Sequence, residues 1–177
     1  MRRAAKAALL FVVLFTVIGG AWGKGVYQTG PEFVAEVFGD TKPQADYLLL
    51  TPGRKEIASQ IMNRSMRGLR TRYWHNGNTS AWIMEEIGKE LPITIGVVIN
   101  DNRIQQVKIL AFRESRGWEV RYPSFTAQYA DVKITEDFHL DTHIDGITGA
   151  TLSVRAVTKV AALALYYHQQ AFQKPEE

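Results

Sequence analysis

The chain of 177 residues contains no cysteine. That absence excludes disulfides, iron–sulfur clusters, thiolate zinc sites and haem attached through C-x-x-C-H. It leaves an oxidising compartment open, because no thiol is there to be mis-oxidised. Neither G-x-G-x-x-G nor a phosphate-binding P-loop occurs, so dinucleotide and nucleoside-triphosphate binding lack their usual handle. H-E-x-x-H is missing, and no Ser/His/Asp motif supports a hydrolase. Internal repeats and low-complexity segments are also lacking.

An excess of charge is missing too, once the first residues are set aside. Met1-Arg2-Arg3-Ala4-Ala5-Lys6 is basic, Ala7 to Ile18 is an apolar run with Thr16 as its one polar residue, and Gly19-Gly20-Ala21-Trp22-Gly23 offers small residues for cleavage after Ala21 or Gly23. The apolar run is shorter than the roughly 20 residues a spanning helix prefers, so residues 1–23 read as a signal peptide. The alternative is an uncleaved membrane anchor from Ala7 to about Trp22, and either places the remainder outside the cytoplasm. Setting Arg2, Arg3 and Lys6 aside takes 21 basic residues to 18, against 18 acidic ones. The pI of about 9.2 therefore belongs to the full chain, and no basic face argues for nucleic acid.

What is present is ordinary for a globular domain: 46% hydrophobic and 22% charged residues, in a chain long enough to bury its own core. Pro31 to Phe38 has apolar residues at helical spacing and is stopped by Gly39-Asp40. Asp46 to Thr51 reads as a strand closed by Pro52-Gly53. Arg54 to Leu69 reads as a second helix with Ile57, Ile61 and Met66 facing inward. Arg70 to Trp74 and Thr79 to Met84 are strands around an Asn76-Gly77-Asn78 turn. Ile93 to Ile99 is a buried strand, paired through Asn100-Asp101-Asn102 with Arg103 to Phe112. Ser124 to Tyr129 is a short helix, and Leu152 to about Phe172 a long one with Val157, Val160, Ala161, Ala164, Leu165 and Tyr167 as core candidates. Antiparallel strands with helices grouped around them predict an α+β fold. Tyr73-Trp74, Tyr166-Tyr167 and His168 read as core or rim, and Trp82 as core or a border of the site.

Chemistry concentrates in Asp145-Gly146-Ile147-Thr148-Gly149-Ala150-Thr151-Leu152-Ser153, directly before the long helix. A glycine-bearing turn here delivers a threonine to a helix N-terminus, where the first amides lack intrahelical acceptors and the macrodipole favours an anion. Gly146 and Gly149 permit close approach and positive φ. From the residues alone, the commoner reading is that Thr148 or Thr151 simply caps the helix. His139, Asp141, His143 and Asp145 are metal-ligand types, but they occupy a loop without rigid ligand spacing.

Asp145 to Thr151 matches the D-x-x-[ST]-G-A-[ST] motif over all seven positions, and so resembles the FMN-binding domain of the C and G subunits of sodium-pumping NADH:quinone oxidoreductase and the related Rnf complex, and of small extracytoplasmic flavoproteins. In that family a magnesium-dependent flavin transferase uses FAD to place FMN on the last hydroxyl of the motif. The resemblance thus implies a covalent phosphoester at Thr151, with Asp145 read by the transferase. Leu110 to Val120 resembles the family's strand-then-turn segment that lines the flavin. It implies that Arg113 and Arg116 pair with the phosphate or the reduced ring, that Trp118 stacks, that Glu114 is a hydrogen-bonding partner rather than a base, and that Gly117 belongs to the same flavin-lining turn. A charged, solvated hairpin is the plainer reading of the same residues. The implied organisation is a lead-in region over residues 24–90 and an FMN-binding core over 91–173. The implied role is electron carriage, with a flavin transferase and membrane-bound electron donor and acceptor proteins as partners. The H-x-E-T-P-G-L-G loop of the larger pump subunits is absent.

Overall fold

A computed structural model describes residues 25–172; the leader and the Lys174–Glu177 tail lie outside it. The elements are β1 (Gly25–Val26), α1 (Gly30–Phe38), β2 (Gln44–Leu49), α2 (Pro52–Met62), β3 (Arg70–Asn76), β4 (Thr79–Ile87), β5 (Pro92–Asn100), β6 (Arg103–Phe112), a 3-10 turn (Trp118–Arg121), α3 (Pro123–Thr126), a second 3-10 turn (Ala127–Tyr129) and α4 (Thr151–Phe172). One six-stranded antiparallel sheet runs in the order β1-β6-β5-β4-β3-β2. The fold is α+β, as the sequence implies.

Both faces of the sheet are covered at its centre. Ile93, Ile95, Val97 and Ile99 of β5 join α2 and α4 in the main core, while Val98 joins Phe33, Val34 and Phe38 of α1 on the other side. That is why β5 reads from Ile93 to Ile99 as an apolar run interrupted only by Thr94, rather than as an alternating one. Gly96 marks where α1 sits closest, since a Cβ there would lie 2.6 Å from the Phe33 ring. The β5–β6 turn places Asp101 and Asn102 at φ 49° and 61°, the conformation that favours Asn and Asp in two-residue hairpins.

Two elements differ from expectation. Thr51-Pro52 opens α2 instead of closing a strand: the Thr51 hydroxyl accepts from Arg54 N–H at 3.4 Å, and Pro52 occupies the first turn, where its missing N–H costs nothing. The helix then stops at Met62 rather than Leu69, because Asn63 turns left-handed at φ 51°. Met66 still packs on the core from the following loop, with its N–H donating to Ser59 Oγ at 3.0 Å. In β4 the strand continues through Glu85-Glu86 to Ile87. Glu86 is buried there because Arg64 reaches it at 2.9 Å.

The expected lead-in region and family core share this single sheet and one core, in which Leu48, Met62 and Tyr73 meet Ile95 and Val160. Trp82 is fully buried, stacked on Tyr73 at 4.7 Å between centroids, so it borders no exposed site. Its Nε1–H donates to Ser80 Oγ at 2.8 Å, which is also 2.7 Å from Nδ1 of the buried His168. Among the described residues, no helix is long and apolar enough to cross a membrane.

Candidate functional site

The start of α4 differs from the starts of α1 and α2. Thr29 caps α1 in a full capping box with Glu32, and Thr51 caps α2. In α4, however, Ala150 holds the cap position: its carbonyl accepts from Val154 N–H at 2.9 Å, and its own N–H donates to Ile147 O at 2.9 Å. Thr151 is therefore the first helical residue, from which a hydroxyl does not reach back to the first-turn amides. Its side chain is exposed, while Ala150 beside it is buried. Gly149 turns the chain into the helix at φ 83°. Among the described residues, neither the Thr148 nor the Thr151 hydroxyl caps these amides, so the capping role open to them in the sequence is unfilled.

Thr151 opens onto a cleft of about 360 Å³ lined by Lys89, Glu114, Ser115, Arg116, Gly149, Ala150, Leu152 and Ser153, within the size range of small-molecule sites. Its far wall is built by Glu114. That carboxylate is buried, and its Oε1 accepts from the backbone N–H groups of Lys89, Glu90 and Leu91 at 2.5, 2.6 and 2.8 Å. Burial pushes the Glu114 carboxyl up; the three amides, with the Lys89 charge, outweigh that and hold it below the usual carboxylate range. Glu114 thus shapes the 88–91 turn. Gly88 allows this approach, since a Cβ there would sit 3.1 Å from Glu114 Oε1.

Gly117 joins the turn to the helix. At φ 85° it takes a conformation that L side chains avoid, and a Cβ on it would stand 2.5 Å from Ser153 Oγ and 3.4 Å from Ala150 Cβ. The 113–117 segment and the first turn of α4 are consequently in direct contact.

The structure divides the remaining implied site residues. Arg116 is exposed on the cleft wall. Arg113 is elsewhere: its Nη1–H groups donate to Pro92 O at 3.1 Å and Thr94 Oγ1 at 3.0 Å, with Glu85 at 3.6 Å. Strand parity explains this, because Phe112 and Glu114 face α4, whereas Arg113 points to the opposite side of the sheet. Trp118 is half-buried, edge-on to Tyr122 at 5.4 Å with the Arg121 guanidinium 5.3 Å from its ring, and it does not line the cleft. Asp145 is exposed; its N–H donates to Gln128 Oε1 at 2.7 Å and its carboxylate stands 3.8 Å from His143. Gly146 lies in open space without positive φ, contrary to expectation. Among the described residues, no three His, Asp or Glu side chains converge as a metal site. Sequence reasoning missed Lys89, for which Gly88 before the charged Lys89-Glu90 pair was the signal available; Ser115 and Ser153 lay inside the two singled-out segments but were given no role of their own.

An exposed hydroxyl, uncapped helix amides and flanking cations on an α+β sheet suit an anionic ligand. The model of the FMN-binding domain matches residues 88–166, a span that contains the whole cleft and its motif, so the chain carries an FMN-binding domain and is a flavin-binding protein. No curated protein and no solved structure matches the chain.

Proposed function

We propose that the protein is an extracytoplasmic electron carrier that holds one FMN covalently, through a phosphoester to Thr151 Oγ. The observation that carries this reading is the placement of Thr151: exposed, first in α4, and excused from capping by Ala150. The amides of Leu152 and Ser153 and the positive end of the helix favour a phosphoryl group on that oxygen. Arg116 adds charge of the right sign along the cleft, beside Lys89 in its 3.3 Å pair with Glu90, and Leu152 supplies an apolar wall. Asp145 is exposed where a modifying enzyme can read it.

Attachment would displace AMP from FAD: the Thr151 oxygen bonds to the FMN phosphorus, the phosphoanhydride bond breaks, and the hydroxyl proton leaves. The only carboxylate in the cleft, Glu114, is committed to three amides, so the base belongs to the flavin transferase. Bound FMN supplies electron transfer, and the protein positions and shields it. Membrane-bound donor and acceptor proteins are the partners such a carrier needs.

The test is intact mass and in-gel fluorescence of the wild type and Thr151→Ala, each co-expressed with a flavin transferase. The wild type gains the mass of one FMN less water and stays fluorescent after denaturing electrophoresis; Thr151→Ala does neither. Dialysable flavin, loaded equally by both proteins, would instead mark a non-covalent FMN-dependent reductase. A colourless wild type would mark a flavin-free module.

A further inference from the structure

The two ends of the sheet differ in polarity. The end at which β1, β3 and β5 begin and β2, β4 and β6 finish is fixed by the register Gly25 with Phe112, Phe112 with Ile93, Ile93 with Glu86, and Leu49 with Arg70. The four most exposed large hydrophobic side chains of the described residues all belong to this end: Leu69, Val26, Leu49 and Ile87, at 75%, 63%, 60% and 59%. Singly scattered surface aliphatics need no explanation, but the four most exposed ones all fall along one end of the sheet, from β1 at one edge to β2 at the other, and that does. None of them lines the Thr151 cleft. The opposite end consists of the Asn76–Thr79 and Asn100–Arg103 turns and exposes no large hydrophobic side chain.

Two cations flank the apolar rim. Arg67 and Arg70 are exposed beside Leu69 and have no acidic partner among the described residues. Arg70 lies over the exposed Tyr47 ring at 4.1 Å, which holds the guanidinium on the surface. The exposed Glu85 and Glu90 at this end are paired with Arg113 and Lys89, while the polar end mixes the exposed Asp40 and Asp101 with Lys42 and Arg103. The chain also enters the structure at the apolar rim, since Gly25 pairs with Phe112. Residues 19–24 separate Gly25 from the apolar run Ala7–Ile18, a tether of at most about 20 Å. Where that run is retained in lipid, it holds this end of the sheet at the bilayer and not the other.

We propose that this rim, comprising Val26, Leu49, Leu69, Ile87, Arg67 and Arg70, docks on an anionic lipid surface. The aliphatic side chains enter the headgroup layer and the two arginines meet lipid phosphates. The Thr151 cleft shares this end through Lys89 and Glu114 to Arg116, so docking turns the site toward the membrane. The proposal stands on rim polarity and does not require a covalent flavin.

The absence of cysteine makes the test direct. Single cysteines are introduced into the full chain at the rim (Leu49→Cys, Leu69→Cys) and at the polar end (Lys42→Cys, Asn78→Cys), each carrying an environment-sensitive fluorophore. The labelled proteins are mixed with vesicles bearing a headgroup-attached quencher, made of phosphatidylcholine with or without phosphatidylglycerol. On anionic vesicles the rim labels are quenched at least twofold more than the polar-end labels, and Arg67→Glu with Arg70→Glu abolishes the difference. Equal quenching at both ends overturns the proposal, as does a rim preference that survives both the neutral vesicles and the charge reversal. Rim labels untouched by protein-free vesicles but shielded in native membranes would assign the rim to a protein and also overturn it. Flavin loading of the same variants, read by mass, reports separately on Thr151.

Discussion

Gly117→Ala tests how the site is held together. The substitution has two costs that can be separated. Residue 117 sits at φ 85°, and a non-glycine residue there costs about 1–2 kcal/mol. The new methyl group also meets Ser153 Oγ at 2.5 Å, an overlap of the kind that costs about 1–3 kcal/mol when the surroundings must move. The Ser153 hydroxyl can turn aside about χ1, but Ser153 Cβ at 3.3 Å and Ala150 Cβ at 3.4 Å give way only with the helix start that carries Thr151. Gly117→Ala should therefore destabilise the protein by about 2–5 kcal/mol, measured by urea unfolding with far-ultraviolet circular dichroism. Ser153→Ala alone should cost less than about 1 kcal/mol, because no hydrogen bond to its hydroxyl supports the turn. The double variant removes the nearest overlap and keeps the backbone strain, so it should recover about 1 kcal/mol or more relative to Gly117→Ala. Covalent flavin loading should fall in Gly117→Ala and partly return in the double variant. Gly117→Ala within about 0.5 kcal/mol of wild type, or a double variant showing only additive losses, would refute the claim that the turn and helix are interlocked.

Two further outcomes follow from buried titratable groups. Burial holds His168 neutral and lowers its pKa from 6.5 to about 4, partly opposed by Asp101; the unfolded chain thus binds the proton first as pH falls. Stability is full above pH 6.5 and should drop by up to about 3 kcal/mol as pH falls toward 4. His168→Gln should be weaker at pH 7 and lack that part of the slope in urea titrations across this range; an unchanged slope would remove His168 as its cause. Glu114→Ala strands three amide donors and should cost about 3 kcal/mol, with faster hydrogen exchange at Lys89, Glu90 and Leu91 as the local readout.

Much of the fold is legible because its strongest patterns are local. The β5–β6 hairpin shows as two apolar runs around Asn100-Asp101-Asn102, and α4 as a long periodic stretch after a glycine turn; both form nearly at the expected residues. The end of α2 is not legible, because it depends on Asn63 adopting a left-handed conformation that nothing between Arg54 and Leu69 announces. At the site, the motif marks Thr151, but the cleft around it is assembled by sheet register. Lys89 reaches it only because the β4–β5 turn lies beside the end of β6. Arg113 could have been set aside from the alternation after Phe112, since adjacent strand residues point to opposite faces. The role of Glu114 in shaping the 88–91 turn spans more than twenty residues of sequence, a distance over which single-chain patterns carry no signal.

The seating of α4 bears on when the protein can be matured. From Ser153 to His168 the helix is mostly buried against β4, β5 and α2, so this stretch should open only when the whole domain does. The two residues N-terminal to it, Thr151 and Leu152, remain at the surface. A modifying enzyme can thus work on the finished domain, and folding need not wait for the group to be installed. If FMN is attached at Thr151 as proposed, apo chains can accumulate folded and still be loaded, because the acceptor hydroxyl stays at the surface of the finished domain.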